Sequence, residues 1–251
     1  MSKVRVVSFD LWDTVFADDS DEPKRRQLGL APKPVERRNL VHSFLSRHNP
    51  IDRALTDCAY DTVDAAFRQV WHHQHVTWQV KTRLEVLLAG LKRTLPQQEL
   101  DELVRLHEDM ELAVRPDLAP GVAEALETLS SRYTLVVVSD AIFSPGRALR
   151  ELLDGYGLLH YFSGFVFSDE AGCSKPDPEA FRRAAALGGC RLDEIVHIGD
   201  REHNDIAGPH GVGARAVLYT AVIDRDSANT RADAVCRNYH QLPSIIESLD
   251  K

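Results

Sequence analysis

The stretch VRVVSFDLWDT, residues 4–14, decides the fold. Val4, Val6, Val7 and Phe9 make a short β-branched and aromatic run that stops at an acid, Asp10. A run of this length reads as a buried strand rather than a helix. Apolar residues in successive positions suit a parallel strand covered on both faces. Asp10 then stands at the strand's carboxyl end, where open α/β sheets bind their ligands. One acid in that place also suits a turn or a helix cap, so its meaning depends on what else reaches the same edge.

Working outward, TLVVVSD (134–140), GFVFSDE (164–170), EIVHIGD (194–200) and RAVLYT (215–220) read as four further strands. Helical patterns alternate with them: GVAEALETLSSR, GRALRELLDGYGLLHYF (146–162), PDPEAFRRAAALGG and LPSIIESL, with a short helix and turn at HNDIAGPHGVGA. Alternation of this kind predicts a doubly wound parallel sheet. The first strand is separated from the rest. Residues 17–34, polar with three prolines, read as an exposed connection, and a block with apolar residues at three and four spacings follows. The expected architecture is a Rossmann-like α/β sheet domain of residues 1–16 and 117–251, with an all-helical domain, residues 17–116, inserted after the first strand.

The net charge of −8 opposes nucleic acid or an anionic membrane as main partner. No apolar run reaches the ~18 residues of a membrane span. The first strand begins almost at once, leaving no room for a leader. Cys58, Cys173, Cys190 and Cys236 are scattered without metal-type pairing, as expected of a reduced cytoplasmic protein.

Three strands end alike, in Asp10, in Ser139-Asp140 and in Gly199-Asp200, while the loop after 164–170 carries Lys175 and Asp205 follows Asp200. On one edge of a parallel sheet these groups converge. A carboxylate can attack phosphorus, further carboxylates suit Mg²⁺, and a lysine and a hydroxyl suit phosphoryl charge. In this order the four segments, FDLWDT, VVVSD, SKPDPEAF and HIGDREHND, resemble the motifs of the haloacid dehalogenase superfamily. The helical block stands where that family inserts a cap.

The resemblance implies Asp10 as nucleophile, Thr14, Ser139 and Asp140 as phosphoryl-binding groups, and Lys175 as the balancing cation. It implies Mg²⁺ held by Asp10, the backbone carbonyl of Trp12 and Asp200, with Asp205 in support. The expected partner is a small phosphorylated molecule, and the chain is expected to be a monomer or homodimer. One position departs from the pattern. The family's phosphatases usually carry an acid two residues beyond the nucleophile, and here Trp12 stands there. Indole is a donor without acid–base capacity, and such a group is worth about 10²–10⁴ in rate. Four alternatives follow. Asp13 is the nearest carboxylate to take over. The family's metal-independent 2-haloacid dehalogenases carry an aromatic there but lack the Asp200 and Asp205 arrangement. A non-catalytic metal- or phosphate-binding protein needs neither. Phosphonoacetaldehyde hydrolases require an early cap lysine, and residues 35–80 contain none.

His72, His73 and His75 read as a partly exposed helix end rather than a zinc site, and His203 as a loop or helix-start residue. The pairs Arg25-Arg26 and Arg37-Arg38 read as solvated charges, Cys173 as a small loop residue, and Trp71 and Trp78 as packing inside the helical block.

Overall fold

The computed structural model describes residues 3–225 and 227–250; residues 1, 2, 226 and 251, within the stretches assigned to the sheet domain, lie outside it. Six strands, β1 (Val6–Phe9), β2 (Thr134–Ser139), β3 (Phe162–Phe167), β4 (Ile195–Gly199), β5 (Arg215–Tyr219) and β6 (Ala234–Cys236), form a single parallel sheet in the order β3-β2-β1-β4-β5-β6. β1 lies in the middle and every residue of it is buried. Its side chains alternate between the two faces. Val7 and Phe9 join the apolar cluster on one face, and Val6 joins the cluster on the other.

Between β1 and α7 (Val122–Ser130) the chain forms α1 (Glu22–Gln27), α2 (Lys33–His48), α3 (Arg53–Gln74), α4 (Val80–Gly90), α5 (Gln97–Glu108) and α6 (Met110–Ala113). The sheet strands are joined through α8 (Gly146–Gly155), α9 (Ser168–Ala171), α10 (Pro178–Gly188) and α11 (Gly208–His210), and α12 (Leu242–Leu249) closes the chain. The first face of the sheet packs on Leu126 and Leu129 of α7, Leu149 and Leu152 of α8 and Ile246 of α12, the second on Phe181 and Ala184 of α10. Full burial of each such leucine, isoleucine or phenylalanine side chain contributes about 1.5–3 kcal/mol. Helices α2, α4 and α5 have their own apolar cluster around Phe44, Leu87 and Leu103, separate from both sheet clusters. No helix among the described residues is long and apolar enough to cross a membrane.

Local chemistry sets the ends. In α3, Asp52 caps the first turn by accepting the Leu55 N–H at 3.1 Å, and His75 stops the helix in the left-handed conformation (φ +54°). In α10, Asp177 caps through the Glu179 N–H, with Pro178 in the first turn.

Four sequence expectations are corrected. The helix expected over 146–162 stops at Gly155. Gly157 takes φ +69°, which only glycine adopts freely, and β3 begins at Phe162 rather than 164. β6 was not anticipated, because three residues between polar neighbours carry no periodicity. Residues 17–34 are not simply an exposed connection: they hold α1, and Asp21 and Lys33 are buried as an ion pair at 2.7 Å. Arg25 and Arg37 are buried rather than solvated. Arg25 donates to the Ala31 carbonyl, and Arg37 stacks on the Phe143 ring with 3.5 Å between guanidinium carbon and centroid.

Candidate active site at the carboxyl ends of the strands

The register of β1 against β4 sets Ser8 beside His197 and Phe9 beside Ile198, and the Asp10 N–H continues the ladder onto the Ile198 carbonyl at 2.9 Å. Asp10 is therefore held by its backbone as the strand ends. Lys175, from the loop after α9, reaches Asp10 Oδ1 at 2.8 Å and Asp205 Oδ1 at 2.6 Å. All three side chains are buried. Burial works against the ammonium charge, but Asp10, Asp205 and Asp140 outweigh it and raise the Lys175 pKa. Burial also opposes the Asp205 charge, and Lys175 and His197 overcome it, holding that carboxyl below its ordinary range.

Behind Asp205 a chain of buried polar contacts fixes its position. His197 Nε2 lies 3.2 Å from Asp205 Oδ1, and His197 Nδ1 lies 2.8 Å from Ser8 Oγ. Burial lowers the His197 pKa and so favours the neutral ring. With Nε2–H donating to the carboxylate, Nδ1 accepts the Ser8 hydroxyl. The Arg201 N–H donates to Asp205 Oδ2 at 2.9 Å. Gly199 has a direct steric role: a Cβ there would overlap the Asp205 side chain.

Asp10, Asp200 and Asp205 each offer an oxygen within 4.8 Å of the others. Burial, followed by the charges of Asp205 and Asp10, raises the Asp200 pKa. Three acids crowded in low dielectric repel one another and favour a compensating cation. The donors are all oxygens, which suits Mg²⁺. Asp200 Oδ1 is buried with no hydrogen-bond partner among the described residues, and the same holds for Ser139 Oγ and Thr14 Oγ1. Unpaired buried polar atoms are rare in native structures. The residues present thus fit an oxygen-liganded divalent cation.

A cavity of about 410 Å³ lies over this edge. Asp10, Trp12, Asp140, Lys175 and Asp205 line it from the sheet side, and Lys33, Arg37, Phe67, Arg68 and Trp71 from the helical insertion. Trp71 therefore walls the cavity as well as packing on Phe67. Thr14, Ser139 and Asp200 are buried and outside that lining. Asp140 is committed locally: its Oδ1 accepts the Lys175 N–H at 3.0 Å and its Oδ2 accepts from Asn204 at 3.3 Å. Asp13 is committed too. Its Oδ1 accepts the Asp18 N–H at 3.1 Å and its Oδ2 accepts Arg225 Nη2 at 2.6 Å. With both oxygens engaged, Asp13 is poorly placed to replace the acid absent at Trp12.

His72 and His73 are exposed at the end of α3, as expected. The segment that follows reaches the sheet: the Ser174 N–H donates to the His75 carbonyl at 2.7 Å, and Thr77 Oγ1 lies 2.7 Å from Ser168 Oγ and 2.6 Å from Ser174 Oγ. The insertion therefore touches the loop that carries Lys175. Sequence reasoning missed His197, Asn204, Thr77 and Arg225. Only His197, a polar residue inside an apolar strand, left a signal.

A sequence profile of haloacid dehalogenase-like hydrolases matches residues 4–213. A phosphoserine phosphatase from Thermus thermophilus is 35% identical over 117 residues, covering 41% of this chain and 47% of that one, so the chain spans about half of that relative. Haloacid dehalogenase-like hydrolase domain-containing protein 3 from Mus musculus is 29% identical over 203 residues, 73% of this chain and 76% of that one. Among solved structures, a 2-haloacid dehalogenase from Pseudomonas syringae superposes with TM-score 0.68 at 23% identity, covering 98% of this chain and 99% of that one. A phosphatase of the same superfamily from Thermococcus onnurineus gives 0.63 at 24% identity, covering 97% and 98%.

Proposed function

The chain belongs to the haloacid dehalogenase-like hydrolases, and from that premise we propose that it is a Mg²⁺-dependent phosphatase of small phosphate esters. The observation that carries the reading is the buried triad of Asp10, Asp200 and Asp205, oxygens within 4.8 Å, with Lys175 on two of its members. Relatives named as phosphoserine phosphatase and glyceraldehyde 3-phosphate phosphatase support it.

In this reading Asp10 attacks phosphorus in line, the ester oxygen leaves with its electron pair, and an aspartyl-phosphate forms on Asp10. Water then attacks phosphorus, releasing phosphate and returning the carboxylate. Lys175 offsets the charge gathered around Asp10, and Ser139 and Thr14 supply hydroxyls to phosphoryl oxygens. Asp10, Asp200 and the Trp12 carbonyl would hold Mg²⁺, with Asp205 in support. When bound, the ion would supply Lewis-acid stabilisation of phosphoryl charge. Residues 17–116 act as a cap over the sheet domain of 1–16 and 117–251, and Phe67 and Trp71 exclude water. Trp12 cannot protonate a leaving group, so esters with good leaving groups are the favoured substrates.

The test is phosphate release from an aryl phosphate and from an alkyl phosphate, with Mg²⁺ and with chelator, beside Asp10→Asn. The expected result is release that needs both Mg²⁺ and Asp10, with the aryl ester faster by about 10²-fold or more. No release above the Asp10→Asn background overturns the reading. Metal-independent halide release from a 2-haloacid would establish the dehalogenase alternative.

A further inference from the structure

We infer that Arg225 is a positioning residue for the metal site: it holds Asp200 by Oδ2 so that Oδ1 faces the cation. The inference rests on the proposed metal reading and deepens it. Arg225 lies in the loop between β5 and β6, 25 residues beyond Asp200, and no motif of the sequence analysis includes it. Its Nε donates to Asp200 Oδ2 at 2.5 Å and its Nη2 donates to Asp13 Oδ2 at 2.6 Å. One planar guanidinium therefore ties the end of β4 to the turn after β1.

Three features give this bridge its purpose. Asp200 has one oxygen occupied and the other, Oδ1, buried and unpartnered among the described residues. A cation competing for the site would cover the ligand atom, whereas Arg225 takes the oxygen a monodentate metal bond does not use. Asp13, the anchor, is fixed in turn by the Asp18 N–H and sits at φ +52°, a conformation uncommon outside glycine. The guanidinium also lies where water has partial access, with 36% of the side chain exposed. Water there screens part of its charge and reduces its repulsion of the ion. Partners that orient a metal ligand typically govern affinity by 10–100-fold. Geometry decides the sign: without Arg225, Asp200 Oδ2 keeps only the more distant Arg201 guanidinium at 3.9 Å, and the alignment of Oδ1 is no longer preset.

The test titrates the metal-free full chain with Mn²⁺, following free Mn²⁺ by electron paramagnetic resonance, without substrate. Arg225→Ala is expected to weaken Mn²⁺ binding about 10-fold, Arg225→Lys to recover part of it, and Asp13→Asn to weaken it by several-fold because it releases the anchor. Circular dichroism and the unfolding midpoint of the metal-free variants separate misfolding from the effect, and Asp13→Asn carries the test alone if Arg225→Ala does not fold. Binding that is unchanged or tighter in both variants, with wild type binding normally, overturns the inference and leaves the phosphatase reading standing. Absence of Mn²⁺ binding by wild type overturns both.

Discussion

The sheet and the helical insertion bury charge in different ways. Along the sheet the interior is aliphatic and aromatic, and most buried charge gathers at the carboxyl ends of the strands, where Asp10, Asp140, Lys175, Asp200 and Asp205 meet, with Arg215 and Glu194 buried at the opposite ends. In the insertion, apolar packing is concentrated between α2, α4 and α5, and buried charge lies along its seam with the sheet domain. There Lys33 contacts Asp21 at 2.7 Å, Asp19 at 3.2 Å and Glu111 at 3.4 Å, and Glu111 also accepts the Ser144 hydroxyl at 2.7 Å. Both regions hold one lysine among several carboxylates. At the strand ends the acids lie within reach of a shared cation and leave an oxygen of Asp200 unpaired. At the seam the charges hold α1, α2 and α6 against each other. Unpaired buried atoms remain in both places among the described residues, Asp200 Oδ1 at the strand ends and Asp21 Oδ2 and Arg37 Nε at the seam. What separates the two is that three acids converge within 4.8 Å at the strand ends, whereas at the seam ion pairs hold helices together.

The largest expected effect sharpens that contrast. Lys175→Ala should lower phosphate release by about 10²–10⁴-fold, because Asp10 loses its balancing charge. Lys33→Ala should change the turnover number by less than about 10-fold. Rates on one aryl phosphate decide the matter, and equal losses would erase the distinction.

Stability should reverse the ranking relative to an exposed pair. Lys33→Met leaves Asp21 buried without its cation and Glu111 with Arg37 alone, at 3.5 Å, at a cost of about 3 kcal/mol. Lys81→Met breaks a surface contact with Asp101, 3.4 Å apart, and should cost under about 0.5 kcal/mol. Denaturant unfolding at pH 7 measures both. Burial opposes the Lys33 charge, but Glu111, Asp21 and Asp19 raise its pKa. Its contribution is therefore complete at pH 7 and is lost only as pH rises above the ordinary lysine value.

The last expected effect is a slope with pH rather than a single cost. Burial pushes the Asp140 carboxyl up to about 7, against an ordinary value of 3.8. Between those values the folded chain binds a proton that the unfolded chain has released, so this group makes stability fall as pH rises through that window. Asp140→Asn cannot titrate and can still accept the Lys175 N–H. In chelator, its stability relative to wild type should grow from pH 4 to pH 7. A constant difference would show that Asp140 ionises freely. Asp205, shifted downward, acts in the opposite sense and mainly below pH 4.

Much of the site was legible beforehand because strand ends announce themselves. An apolar run that stops at an acid gives both the element and the edge, which is why Asp10, Ser139, Lys175, Asp200 and Asp205 could be assigned to one place. Arg37 and Lys33 were not legible as buried residues, since a charged side chain in a polar stretch looks the same whether it meets water or three carboxylates. Asp13 and Arg225 show the same limit. They are 212 positions apart, and only the fold brings them to 2.6 Å.

The sequence by itself determined the parallel sheet, the inserted helices and the convergence of acids and lysine. These follow from local periodicity and from strands sharing one direction, which are short-range properties. Tertiary structure alone decided which oxygens are occupied and which remain free. It set Asp13 against Arg225, Thr77 against Ser174 and a charged seam beneath the insertion. Those outcomes depend on distances between segments far apart in the chain, and pairing energies in a low-dielectric interior change steeply with such distances.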